Sequence, residues 1–151
     1  MPIATLDDLM SCQQKDLDKL YSQSVAGEMP NGDSEGKAIF FPGSIANELV
    51  TRIASHVWHG KVFNLRNKIL VNKIFGFQAI KANIFKGESW FDGKESTIID
   101  YHDTSFLASP IRDEIREIGP GLYLGRAYLR TPRKPVLGVN FALDFGNPRS
   151  N

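Results

Sequence analysis

Most of the residues able to do chemistry lie between positions 88 and 130, where strand-like runs alternate with short turns. Asp100 and His102 are two apart, so on a strand both side chains leave by the same face, next to Ile98. A partly buried histidine is the usual general acid or base near neutral pH; the plainer reading is a solvent-facing strip beside a loop. Asp113 and Arg116 follow the turn at Pro110. In an extended segment they project to opposite faces, in a helical turn they are i, i+3 neighbours, and the spacing leaves both open. They read either as an ion pair that pins the loop or as an acid with a bidentate anchor for a carboxylate or phenolate. Arg126 and Tyr128 share a face with Leu122, Leu124 and Arg130, opposite Tyr123, Gly125, Ala127 and Leu129. If the first face lines an interior, Arg126 and Tyr128 need partners there, because an unpaired buried charge is very costly.

Ligand-facing candidates come from the aromatic residues. Trp58 and Trp90 are candidates for the wall of a flat ligand's site, against the commoner use of tryptophan as a core or end plug. Phe141 belongs to a continuous apolar face with Leu137, Val139, Leu143 and Phe145. Lys61 reads as a Schiff-base or anion-binding lysine, or as a surface lysine near a strand start. No metal site is expected: His56 and His59 are three apart at a helix-to-strand junction, with no accompanying HExxH or His-x-His pattern. Gly32 to Lys37 is one residue short of a phosphate loop and carries Asp33 and Glu35, and no dinucleotide fingerprint or Gly-x-Ser-x-Gly elbow occurs. The reading therefore includes no cofactor.

The elements that must position these residues are mainly β. Leu6, Leu9, Met10, Leu17, Leu20 and Tyr21 recur at helical spacing and predict one amphipathic helix over 5–22, capped by Thr5. A polar, glycine-rich loop leads to a strand at 37–41. Pro42-Gly43 ends it, and Ser44 opens a second helix over 44–57. Strands are then expected at 58–65, 69–75, 78–85, 89–91, 97–102, 113–118, 122–130 and 136–145, with turns at 91–94 and 119–121. Loops this short exclude crossover helices and predict an antiparallel meander, and closure into a barrel removes its edges.

At 151 residues the chain is expected to be one domain, with an N-terminal helix and loop over 1–35, a barrel over 36–146 and a frayed tail over 147–151. A net charge of +1 provides no field to gather nucleic acid or an anionic membrane. Cys12 is the sole cysteine, so no intramolecular disulfide framework is expected. No apolar run approaches a membrane span, and the expected setting is cytoplasmic. A homodimer through a sheet edge is compatible with this reading.

Two stretches carry a resemblance. Trp58-His59-Gly60-Lys61-Val62-Phe63 reads W-x-G-K-x-F. Pro110 to Arg116 reads P-I-x-D-x-(aromatic or aliphatic)-R, followed by Leu124-Gly125 at matching distance. In order and spacing they resemble the GXWXG-type family of small lipocalin-like proteins with a domain of unknown function, although this chain has no tryptophan near Asp33 to Lys37, where the family's first motif would fall. The resemblance implies a calycin-like barrel with an interior pocket and supplies no catalytic residues. The expected function is binding of a small hydrophobic or aromatic molecule in the barrel. The alternative is a cofactor-independent isomerase, cyclase or lyase using Asp100, His102 or Asp113 in the same cavity.

Overall fold

A computed structural model describes residues 5–39 and 57–146. The helix expected over 44–57 lies outside them except for Val57, as do the end of the strand expected over 37–41 and the tail at 147–151. The described chain is an antiparallel barrel of nine strands with two helices against its outer surface. The strands are β1 (Gly32–Asp33), β2 (Glu35–Ile39), β3 (Trp58–Asn64), β4 (Ile69–Ile74), β5 (Phe77–Glu88), β6 (Glu95–Asp100), β7 (Ile111–Gly119), β8 (Leu122–Leu129) and β9 (Val136–Asp144). From β3 to β9 each strand pairs with the next in the chain.

Closure rests on one interrupted strand. β1 pairs with β3 and β2 pairs with β9, so residues 32–39 bridge the two ends of the meander. At the interruption, the Ser34 hydroxyl donates to the Lys61 carbonyl at 2.6 Å and accepts from the Lys61 amide at 3.2 Å. Gly60, at φ +131°, faces this seam. A Cβ there would come within 2.3 Å of the Ser34 carbonyl oxygen, so the glycine of the first motif is required where the two backbones meet.

The single helix expected over 5–22 is two: α1 (Leu6–Met10) and α2 (Gln14–Gln23). The break has a local cause. Asp8 accepts from the Thr5 amide and Asp16 from the Gln13 amide, so the sequence carries two helix starts eight residues apart. Both helices bury their apolar residues, Leu6, Leu9, Leu17 and Tyr21, against Ile39, Leu122, Leu124 and Ala142 on the outside of β2, β8 and β9.

The strand expected at 89–91 is instead part of the turn joining β5 and β6. Its conformation is fixed from a neighbouring strand: the Glu114 carboxylate on β7 accepts from the Ser89 hydroxyl and from the Trp90 amide. β6 ends at Asp100, before the expected His102. β7 runs longer at both ends than expected.

The inward face carries Phe63, Leu70, Ala82, Ile84, Ile99, Tyr101, Ile115, Tyr123, Phe141 and Leu143, which form one core. Gly125 belongs to this face, opposite Phe141. A Cβ on it would sit 2.2 Å from Phe141 Cζ, so the Leu-Gly of the second motif makes room for a ring. Gly125→Ala is expected to destabilise the fold by about 1–3 kcal/mol through overpacking. Adding Phe141→Leu should restore part of this in urea unfolding; a single substitution without effect would mean that the ring is not held there.

Candidate functional site

Across the barrel interior, Lys61 on β3 meets Asp113 on β7, with β4, β5 and β6 between them in the sheet order. Both side chains are about 95% buried. Alternation explains how charged residues arrive there. Lys61 shares a face with Phe63, Asp113 with Ile111 and Ile115, and Asn72 with Leu70, so each polar group is carried inward by apolar neighbours two residues away.

Every donor of the Lys61 ammonium is used. It reaches the Asn72 Oδ1 at 2.8 Å, the Tyr101 hydroxyl at 2.6 Å and Asp113 Oδ2 at 3.1 Å. Asn72 is saturated as well: its Oδ1 also accepts from Trp58 Nε1 at 3.0 Å, and its Nδ2 donates to the Ile80 carbonyl and the Tyr101 hydroxyl, both at 2.9 Å. The Tyr101 hydroxyl in turn donates to Asp113 Oδ2 at 3.4 Å. The rings of Trp58, Tyr101 and Phe141 surround Lys61 Nζ at 5.3 to 5.5 Å from their centroids.

The network runs toward one oxygen. Asp113 Oδ1 is buried and has no hydrogen-bond partner among the described residues, and the same holds for Thr97 Oγ1. Thr97 stands opposite Ile115 and Asp113 opposite Ile99, so the two are diagonal neighbours on the inward face. Burial lowers the tendency of Lys61 to hold its proton, but attraction to Tyr101 and Asp113 outweighs it and raises its pKa. For Asp113 burial wins over Lys61 and pushes the carboxyl above its usual range. The lysine therefore stays charged, and the carboxyl is the member that takes up a proton on acidification.

No protein-family model matches the chain, and no curated protein does. A crystal structure of a protein from Thermomonospora curvata is similar in fold, with a TM-score of 0.60 at 16% identity over 90% of this chain and 89% of that one. The likeness is one of fold alone.

The remaining residues singled out by the sequence divide between the two faces of the sheet. Lys61, Trp58, Phe141 and Asp113 are together inside. Asp113 and Arg116 lie on an extended strand and project to opposite faces, so they are not a pair. Arg116 is fully buried on the outer face, where it grips Asp92 bidentately at 2.7 and 2.8 Å, donates to the Tyr21 carbonyl at 2.8 Å and stacks on the Tyr21 ring. Arg126 lies beside it, bonded to Asp18 at 2.6 Å and to the Tyr128 hydroxyl at 3.0 Å, over the Phe91 ring. Trp90 is outside too, stacked on Arg112 at 4.1 Å. These four, Arg116, Arg126, Tyr128 and Trp90, fasten α2 and the turn at residues 89–94 to the sheet and do not face the interior. Asp100 pairs with Arg130 at 2.7 Å and accepts from the His102 amide in a turn, which leaves the His102 ring in solvent. The expected Asp100 and His102 pair is thus not brought into the barrel: Asp100 stands opposite Arg112 on the outer face, between the inward Ile99 and Tyr101, and the strand ends there.

The sequence reading missed Asn72, Tyr101 and Thr97. For Asn72 and Tyr101 the signal was present, as a polar group at every second position among apolar ones. Among the described residues no three His, Cys, Asp or Glu side chains converge as for a metal, and no helix is long and apolar enough to cross a membrane.

The buried pair leads to one expected outcome. Lys61→Met leaves a lone carboxylate inside and should cost about 3–5 kcal/mol, whereas Lys61→Met with Asp113→Leu should approach wild-type stability in urea unfolding; equal losses would show that the pair itself stabilises. The outer clamp leads to another. Arg116 holds the Asp92 carboxyl at about 2, chiefly by hydrogen bonding, below its ordinary 3.8. Since the folded pKa is depressed, this stabilisation is present above pH 3.8 and is lost as pH falls toward 2. Asp92→Asn should flatten that part of a thermal stability profile against pH.

Proposed function

We propose that this is a cytoplasmic, lipocalin-like barrel that encloses a small hydrophobic or aromatic molecule, with a hydroxyl or similar donor turned toward Asp113. The observation that carries this reading is the unpartnered, buried Asp113 Oδ1. Buried polar atoms are nearly always hydrogen-bonded, and an exception points to a bound molecule or water that completes it. Thr97 Oγ1, diagonal to it on the same face, needs a partner of the same kind. The apolar and aromatic surroundings favour a ligand whose body is hydrophobic. The resemblance to the GXWXG-type family is part of the same proposal: Trp58, Gly60, Lys61, Phe63, Asp113 and Gly125 of the two motifs all stand at the seam or on the inward face.

A second reading, a cofactor-independent isomerase, cyclase or lyase, is favoured by the same carboxyl. Burial raises its proton affinity, and a free Oδ1 is placed to take a proton from one position of a bound molecule and return it to another. Asp113 is then the acid and base, and His102 has no part in it.

Native followed by denaturing mass spectrometry on protein from its own host should reveal a co-purifying apolar molecule. With 2-naphthol as probe, Thr97→Val should lower affinity several-fold while leaving the melting temperature of the empty protein unchanged or higher, because no protein bond is lost. Asp113→Asn should lower affinity about tenfold or more, and 2-methoxynaphthalene should bind less well than 2-naphthol. An empty native protein together with no thermal shift from 2-naphthol or decanol would end the binding reading. If a co-purified molecule is turned over, Asp113→Asn should reduce the rate by about 100-fold or more and His102→Ala should leave it unchanged.

A further inference from the structure

One mouth of the barrel holds a cavity of about 350 Å³, within the range of small-molecule sites. Its walls come from the segment after α2 (Met29, Pro30), the β3–β4 turn (Leu65), the β7–β8 turn (Pro120, Gly121) and the inward rings of Tyr123 and Phe145. Those two rings meet edge to face at 5.4 Å, and Phe145 meets Phe63 at the same distance. Phe63, Ile115 and Leu143 are buried in the core to which these rings belong. The mouth cavity is therefore floored by rings and is distinct from the Lys61 and Asp113 network.

The lining has one sign of charge. Glu28 and Glu117 contribute carboxylates, Asn31 is neutral, and among the described residues no lysine, arginine or histidine lines the space. Lys86 is a nearby cation that attracts Glu117 electrostatically from outside the lining, while its ammonium donates to the Gly27 carbonyl. The position of Glu117 is set by the protein, since the one proton of the Tyr123 hydroxyl is shared between Glu117 Oε2 at 3.0 Å and the Glu28 carbonyl at 2.8 Å. An apolar pocket with carboxylates on its wall favours a ligand with an apolar body and a cationic head, and disfavours an anionic one by like-charge repulsion.

We propose that the barrel mouth is a second binding site, for a small apolar amine whose ammonium pairs with Glu117. The amine's N–H groups complete the carboxylate while its hydrocarbon part covers Met29, Leu65 and Phe145. A charge-assisted hydrogen bond of this kind corresponds to about tenfold or more in affinity.

Three ligands of nearly the same shape test it: 4-phenylbutylamine, 4-phenylbutanol and 4-phenylbutyrate, titrated by calorimetry into the full-length protein. The amine should bind about tenfold or more tighter than the alcohol, and the butyrate weakest. Glu117→Gln, which can still accept from Tyr123, should bring the amine to the level of the alcohol, and Leu65→Trp, filling the mouth, should abolish binding of all three. Equal binding of amine and alcohol, or tighter binding of the butyrate, would overturn the assignment of charge, and no binding of any would overturn the site. Unchanged amine affinity in Leu65→Trp would place binding elsewhere and equally overturn it. Thr97→Val should leave amine affinity unchanged, so the result separates this mouth from the interior.

Discussion

The ion pair between Lys61 and Asp113 is the constraint around which the interior of the barrel is arranged. It spans the interior from β3 to β7, and through Asn72 and Tyr101 it also engages β4 and the end of β6. Such a pair inside a low-dielectric core grows costlier with every donor or lone pair left unmatched. Lys61 and Asn72 are matched in full, which restricts β3 and β4 to one register, because a slip by one residue would turn both polar groups out of the barrel. Asp113 is matched on one oxygen only, and that asymmetry gives the interior its chemical interest.

The outer face is organised by a different solution to the same problem. Arg116, Arg112, Arg126 and Glu114 are buried there without facing the interior, under α2 and the turn at residues 89–94. Planar guanidinium groups make this possible, since they stack on Tyr21, Trp90 and Phe91 while their edges reach carboxylates and carbonyls. Both helices are attached by apolar contact from Leu6, Leu9 and Leu17, and α2 also by directed bonds from Arg116 and Arg126. The directed bonds fix the position of α2 along the strands, which apolar contact alone leaves loose.

These two polar systems separate the roles of the two sheet faces. The outer clamp has its principal groups paired and reads as structure. The interior retains unpartnered acceptor capacity at Asp113 and Thr97, and the mouth retains a cavity with carboxylates on its wall. The unmatched polar atoms are therefore inside the barrel and the cavity is at one end, in a barrel whose width admits either packed side chains or one small molecule.

By itself, the sequence determined the antiparallel meander: alternating apolar positions and turns at 91–94 and 119–121 are local properties, and short loops leave little choice of partner. It also marked Trp58, Lys61, Asp113 and Phe141, which do come together. It did not separate them from Arg116, Arg126, Tyr128 and Trp90, because alternation says that two residues share a face without saying which face is enclosed. The same ambiguity misplaced Asp100 and His102: Asp100 alternates with the inward Ile99 and Tyr101 and so faces out, and the strand ends there in a turn held by Arg130. The split of the first helix was written locally, in Asp8 and Asp16, but masked by a continuous apolar stripe. Tertiary structure alone decided which charges pair. Lys61 and Asp113 are 52 positions apart in the chain, and only closure through Ser34 and Gly60 brings their strands to opposite sides of one interior.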